Sequence, residues 1–263
     1  MLQQTPVARV LPIWIDWLER WPTPASQAAD PPAETIRAWG RLGYPRRALR
    51  LHETAEIIAR DHGGQVPADA SALRALPGVG DYTAGAILAF AYGQRALALD
   101  TNVRRVIARH DLGQERPAGS VTVGEVAHAD ATQPTRGGST WMAAVMELGA
   151  LVCTSRAPAC GSCPVSDTCR WLALGKPPGP PHRRQATYGG SDRQARGALL
   201  AALRDSAGPV TTHRLDLAWP VAIQRARALD SLVADGLLIP AAQGRWALPG
   251  STASQPVPGE FTD

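Results

Sequence analysis

An all-α fold is predicted for most of this 263-residue chain, and three observations predict it. Apolar side chains recur at three- and four-residue spacing in segment after segment up to about residue 175. Those segments open on Thr, Asp or Pro and close on Gly, the residues that punctuate helix ends. No stretch of that region alternates apolar and polar side chains as a half-buried strand would. A Pro- and Gly-rich break then leads to a smaller unit of mixed character.

Thr5-Pro6 marks the first helix start, Thr as cap and Pro at the first helical position, with Val7, Val10, Leu11 and Leu18 as its apolar face. ADPPAETIRAWGRLG offers Asp30 as cap, Pro31 just inside, Ile36, Trp39 and Leu42 on one face, and Gly43 as stop. Pro45 opens PRRALRLHETAEIIARDHGG, which halts at Gly63-Gly64. SALRAL is a short helix before a PGVG turn. DYTAGAILAFAYG, apolar nearly all round and rich in Ala and Gly, suits a buried helix closely approached by its neighbours. TNVRRVIARHDLG sets Val103, Val106 and Ile107 against Arg104, Arg105 and Arg109, and WMAAVMELGALVC runs as a helix into the first cysteine. The first domain is therefore placed at 1–175 and an extended linker at 176–190. Residues 191–250 read as three helices plus two short strands around an AAQG turn. That order fits a small winged-helix-like unit, or else a helical appendage packed on the main domain. A disordered tail is expected at 251–263.

Formal net charge is +4 with a pI near 9.2, a mild push toward a polyanionic partner. No apolar run is long enough to span a membrane, and no secretory signal opens the chain, which reads as a soluble cytoplasmic protein. Of the 27 basic residues one is Lys, Lys176 in the linker, and the rest are Arg. The folded part thus holds no lysine for Schiff-base chemistry.

All four cysteines, Cys153, Cys160, Cys163 and Cys169, fall in CTSRAPACGSCPVSDTC with spacing C-x6-C-x2-C-x5-C. Disulfides are not expected in a reducing compartment, which leaves a metal centre. Zinc and a [4Fe–4S] cluster both use four thiolates; the compact, asymmetric loop favours iron–sulfur over the paired motifs of a zinc ribbon. The loop carries Arg156, a candidate phosphate contact.

LPGVGDYTAG places Gly78 and Gly80 in a turn between two helices, either an ordinary tight turn or a backbone seat for a DNA phosphate. With an Ala-rich helix and a basic helix beyond it, the second reading is a helix-hairpin-helix element that holds DNA without regard to sequence. Asp100, in LALDTNVRRV, stands where a helix N-cap belongs. A capping Asp can also face a cleft and stabilise positive charge developing on a sugar during glycosidic cleavage. Tyr82, just after the hairpin, is a candidate for the same cleft.

Taken together, LPGVGDYTAGAI, LDTNVRRV and the cysteine spacing resemble the helix-hairpin-helix DNA glycosylases that carry an iron–sulfur cluster. MLQQTPVARV, GRLGYPRRALRLH and MELGALVC narrow the resemblance to the adenine DNA glycosylases, over roughly residues 1–175. The resemblance implies a two-lobed helical domain and removal of adenine mispaired with guanine or 8-oxoguanine in double-stranded DNA, the base being flipped out of the stack. It implies that Asp100 stabilises the oxocarbenium ion, that Asn102 belongs to the active site, and that the cysteines hold a [4Fe–4S] cluster. It further implies that Gln4 and Tyr44 enter the base stack around the lesion and that Gly78 and Gly80 seat a phosphate; Gln3, beside Gln4, and Arg104, on the basic helix, are further candidates for DNA contact. Position 82 carries the Schiff-base lysine in the bifunctional endonuclease III branch; here it is Tyr, so a monofunctional enzyme is expected, a monomer associated with a bacterial nucleoid.

The family's catalytic glutamate lies a few residues before the LQQT motif, ahead of Met1, so residues 1–263 by themselves are expected to turn over poorly. The roughly 60 residues after the linker are too few for the β-rich domain with which many relatives read 8-oxoguanine. Two other functions fit the same motifs: a DNA-binding protein without excision activity, and a glycosylase for another mismatched base such as thymine opposite guanine.

Overall fold

The computed structural model describes residues 1–3, 5–179 and 188–251. Gln4, most of the expected linker and the expected tail beyond Ser251 lie outside the described residues. The elements in chain order are α1 (Val7–Arg20), α2 (Pro24–Ala29), α3 (Pro32–Trp39), α4 (Arg46–Asp61), α5 (Ala70–Ala75) and α6 (Asp81–Ala86), the last continued by a π-helical turn at Ile87–Ala91. Then come α7 (Thr101–His110), α8 (Val123–Thr132), α9 (Gly138–Leu151), single 3-10 turns at Cys160–Ser162 and Ser166–Thr168, and α10 (Arg170–Ala173). The C-terminal part holds α11 (Asp192–Arg204), β1 (Val210–Thr211), α12 (Thr212–Ala218), α13 (Ala222–Ala234), β2 (Ile239–Ala241) and β3 (Arg245–Ala247). No helix among the described residues is long and apolar enough to cross a membrane.

The chain forms two compact units, one of Met1–Val66 with Gln185–Asp263, the other of Pro67–Arg184. This division differs from the expected split between 1–175 and 191–250. Leu199 and Leu203 of α11, Leu232 of α13, and Leu237 and Leu238 after it share one hydrophobic core with Val10, Trp17, Ile36, Trp39 and Ala48. A unit of some sixty residues has little apolar surface to bury alone; here it is completed by the N-terminal helices. Trp17 is the hub of their contribution, edge-on to Trp21 at 4.7 Å and to Trp39 at 6.1 Å between ring centroids. Arg37 extends from α3 to the C-terminal end of α11, donating to the carbonyls of Leu203 (3.3 Å), Arg204 (2.6 Å) and Ser206. The last carbonyls of a helix lack i+4 donors, and Arg37 serves two of them and the Ser206 carbonyl just beyond.

The small sheet has the order β1-β3-β2, both pairs antiparallel, with Val210 opposite Trp246 and Pro240 opposite Trp246 on the other side. Sequence analysis anticipated two strands around the AAQG turn, β2 and β3, but not β1 at Val210–Thr211; two residues are too few for a period to show. Three further corrections concern helices. Pro6 rather than Thr5 is the cap position of α1, and Thr5 is buried, its hydroxyl donating to the Leu42 carbonyl at 3.3 Å. Asp30 ends α2 instead of capping α3, and it binds Trp21 Nε1 at 2.9 Å and Arg20 at 3.1 Å. The face of α1 that enters the core is Val10 and Trp17, while Val7, Leu11 and Leu18 are 43–62% exposed. α1 carries apolar residues on both faces, so periodicity alone did not select the buried one. α2 and α8 fall where no helix was anticipated, each with Thr as its cap.

In the second unit, α7 carries Val103 and Ile107 into a core with Ala89, Ala98, Ala129 and Met142. Two glycines permit close approach there. A Cβ on Gly85 would lie 1.8 Å from the Leu97 carbonyl oxygen, and one on Gly149 would lie 2.8 Å from Asn102 Cβ and from the Asn102 carbonyl oxygen. These contacts bring the backbone before α7, and the first turn of α7 itself, hard against α6 and α9.

Candidate active site

Asp100 is the N-cap of α7, as its position in LDTNV predicts. Its Oδ1 accepts hydrogen bonds from the backbone N–H of Asn102 (2.8 Å) and Val103 (2.7 Å), and its Oδ2 accepts from Asn102 Nδ2 (2.8 Å). The two readings of this residue are compatible: capping uses Oδ1, and Oδ2 is held by a single amide. The carboxylate is only partly buried. Tyr82, in the first turn of α6, is 38% exposed. Burial, and then the negative charge of Asp100, push its phenol above the usual value. Asp100 and Tyr82 are thus electrostatic neighbours, and Tyr82 stands as a neutral phenol.

Asn102 is oriented in turn by Arg105. Arg105 Nη2 donates to Asn102 Oδ1 at 2.8 Å, which leaves the Asn102 amide nitrogen to face Asp100. The same guanidinium binds the Cys153 carbonyl through Nε at 2.7 Å and reaches the Gly149 carbonyl. One arginine on α7 therefore ties the first turn of its own helix to the end of α9 and the start of the cysteine loop. Asn102, Arg105 and Arg109 lie at the i, i+3, i+7 spacing of one helix face. That spacing was visible in the sequence, but their partners were not.

The four cysteine thiols are free, and they line one cavity with Arg109, Val152, Pro158, Ser166, Trp171 and Leu172. Among the described residues no three His, Cys, Asp or Glu side chains gather as they would around a single ion. Four thiols that line one cavity fit the all-sulfur ligand set of a [4Fe–4S] cluster. The donor set, sulfur alone with arginine beside it, fits the anionic charge of such a cluster. Arg156 of this loop is exposed, as a phosphate contact requires.

Arg104 is otherwise disposed than expected. It is 8% exposed and pairs with Glu125 through two bonds of 2.6 and 2.9 Å, while its remaining N–H groups serve the carbonyls of Ala118, Gly119 and Ser120. It fastens α7 to the loop before α8 and has no face left for DNA. Arg109, expected on the same basic side, is also turned inward at 2% exposed. A charge pattern on a helix does not show whether buried carbonyls and a carboxylate await it.

Gly78 and Gly80 are exposed in the turn between α5 and α6. Gly78 has φ +77°, a conformation that glycine adopts without strain, and Gly80 is extended at the start of α6. In the other unit, Tyr44 is 57% exposed with φ 48°, a left-handed conformation uncommon for an aromatic residue. Arg47, which sequence reasoning did not single out, secures it. Its guanidinium lies 5.3 Å from the Tyr44 ring centroid and 5.1 Å from that of Trp39. It also donates to the carbonyls of Met1 (3.2 Å), Gln3 and Gly43 (3.2 Å) and to Thr5 Oγ1 (3.0 Å). The LQQT and LGY segments, some 40 positions apart, are thereby joined through one side chain. Its position three residues after Tyr44 was the available signal.

The chain is similar to known proteins of DNA repair. Residues 1–123 match the model of the HhH-GPD superfamily of base excision DNA repair proteins, and residues 153–169 match the iron–sulfur binding domain of endonuclease III. An adenine DNA glycosylase of Mycobacterium tuberculosis is 55% identical over 256 residues, covering 95% of this chain and 83% of that protein. One of Mycolicibacterium smegmatis is 52% identical over 255 residues, covering 95% and 85%. The human adenine DNA glycosylase is 41% identical over 174 residues, 65% of this chain and 32% of its own length. Among solved structures, a thermostable thymine-DNA glycosylase superposes with a TM-score of 0.61 at 27% identity, over 66% of this chain and 80% of that one. A non-covalent endonuclease III–DNA complex gives 0.57 at 27% identity with the same coverage.

Proposed function

The chain belongs to the adenine DNA glycosylases, DNA N-glycosylases of base excision repair that carry a [4Fe–4S] cluster, and from that premise we propose that it removes adenine paired with guanine or 8-oxoguanine by hydrolysis without strand cleavage. The observation that carries the chemistry is Asp100. Its carboxylate is oriented by two backbone N–H groups and one amide, so it meets a sugar with no reorganisation of its own. Opposite an oxocarbenium-like sugar its negative charge lowers the barrier as the bond to the base breaks. Tyr82 lines the same site as a neutral phenol, and no lysine amine occurs in residues 1–175 to form a Schiff base with the opened sugar. Cys153, Cys160, Cys163 and Cys169 would hold the cluster in their shared cavity, and the loop so fixed would set Arg156 against a DNA phosphate.

Recognition of the mispair falls to the two segments that Arg47 joins. Gln3 and Gln4 of LQQT and Tyr44 of LGY enter the base stack around the lesion, and Gly78 and Gly80 seat a phosphate of the strand. The protein acts as a monomer on double-stranded DNA. The test holds the protein in excess over DNA. Single-turnover excision is followed on duplexes with adenine opposite 8-oxoguanine, adenine opposite guanine and thymine opposite guanine. Adenine release from the first two is expected, with strand breaks only after alkali. Preferential thymine release would support the second reading that the thymine-DNA glycosylase likeness raises. Tight binding with no base released from any duplex would leave a DNA-binding protein.

A further inference from the structure

Arg109 is a buried cation that base excision leaves without a role. It is 2% exposed, yet no carboxylate among the described residues lies within ion-pairing distance of it. The nearby Glu115 carboxylate is bound to Arg116 at 2.8 Å. Arg109 donates instead to three carbonyls, Glu115 (2.8 Å), Thr154 (2.8 Å) and Ser155 (3.2 Å), and its outer face stacks on Trp171 at 4.6 Å from the ring centroid. Its remaining contact is with sulfur: Nη1 stands 3.4 Å from Cys153 Sγ. Its own carbonyl oxygen lies 3.8 Å from Cys169 Sγ, so the residue touches the first and the last of the four cysteines. A full charge taken out of water without a direct ion pair is costly, and the Glu115 carboxylate, which feels the Arg109 charge, is already bound to Arg116. The charge available to balance it is that of the cluster and its thiolates.

We propose that Arg109 is the counter-ion of the iron–sulfur cluster and raises its reduction potential, through its charge and its N–H···S bond to Cys153. Reduction by one electron adds one negative charge to the cluster, and a fixed cation with an N–H donor on a ligand sulfur stabilises that reduced form. Burial under Trp171 keeps the interaction from being screened by salt. Removing the guanidinium shifts the balance toward the oxidised cluster, so the midpoint potential falls. Arg170, one residue past Cys169 but exposed, is the natural contrast, because solvent screens it.

The test is a redox titration of the cluster-loaded protein free of DNA, followed by visible absorption and electron paramagnetic resonance, with iron content measured alongside. The expected order of midpoint potentials is wild type highest, Arg109→Lys lower and Arg109→Gln lowest, with Arg170→Gln equal to wild type. An Arg109→Gln protein that keeps its cluster at the wild-type potential overturns the proposal, as does an equal shift in Arg170→Gln. Should Arg109→Gln fail to hold iron, the decisive measurement needs no variant. Wild-type protein with isotopically labelled guanidinium nitrogens is brought to the paramagnetic state of its cluster, where hyperfine coupling to a labelled nitrogen is expected. Its absence refutes the N–H···S bond, and the proposal with it.

Discussion

Gly149→Ala sets two effects of opposite sign against each other at the candidate active site. Gly149 lies in the interior of α9. Replacing glycine by alanine in a helix interior stabilises it by about 1 kcal/mol. The new methyl, however, would stand 2.8 Å from Asn102 Cβ, 2.8 Å from the Asn102 carbonyl oxygen and 2.9 Å from its carbonyl carbon. Carbon contacts are comfortable at about 3.5–4.0 Å, so α7 and α9 must part by roughly 1 Å. Two of the three obstructing atoms are backbone and the third is a Cβ, so no flexible side chain can swing aside. Overpacking of this kind costs about 1–3 kcal/mol, and the net expectation is a loss of roughly 0–2 kcal/mol. The larger consequence is positional. The displaced turn carries Asn102, whose amide holds Asp100 Oδ2, and the Gly149 carbonyl that binds Arg105 moves the other way. A 1 Å misplacement of this sort can cost on the order of 10²-fold in rate. Urea unfolding gives the first quantity and single-turnover adenine excision the second. A variant about 1 kcal/mol more stable than wild type, with an unaltered rate, would refute both the close approach and its link to Asp100.

Asp100→Asn is expected to lower the single-turnover rate by at least about 10²–10³-fold, the loss typical of removing one preorganised transition-state stabiliser. Because asparagine is as good an N-cap as aspartate, its melting temperature should stay near that of the wild type; a large drop would mean that capping is the residue's main task. The same substitution removes the second of the two causes that raise the Tyr82 phenol. Its titration, isolated by ultraviolet difference against a Tyr82→Phe protein, should move down but remain above the ordinary tyrosine value because burial persists. Arg37→Ala takes the side-chain donor from the carbonyls of Arg204 and Ser206 and from that of Leu203, which keeps the Ser206 N–H at 3.2 Å, and it removes an ion pair to Glu34 at 3.2 Å; the urea midpoint should fall by the equivalent of about 1–3 kcal/mol. Borohydride added during turnover should trap no covalent protein–DNA adduct, since a trapped species requires an amine nucleophile.

The parts of the site that were legible in the sequence depend on local chemistry. Asp100 caps a helix because an aspartate before TNVRR has backbone N–H groups within reach, whatever the rest of the chain does. The cysteines are close in space because they are close in sequence, and the PGVG turn is set by its own glycines. What stayed hidden depends on partners far along the chain. Arg104 and Arg109 look like a basic surface until Glu125 and the cysteine loop fold over them. Arg47 shows nothing of its role until Met1 and Gln3 present their carbonyls. The buried residues of α1 belong to a core whose other members include leucines that occur almost two hundred positions later.

The shared core of the first unit also orders the events of folding. Every core residue of the second unit falls between 67 and 184, so that unit has all of its sequence when the chain has grown to about two-thirds of its length. At about 5–20 residues per second, the N-terminal helices then wait several seconds for the last of their core, Leu248. During that interval Trp17, Ile36 and Trp39 lack their α11 and α13 partners. The end of the chain that meets the ribosome first is thus the last to be sealed, and the early segments that carry LQQT and Tyr44 acquire their final support from residues made at the close of synthesis.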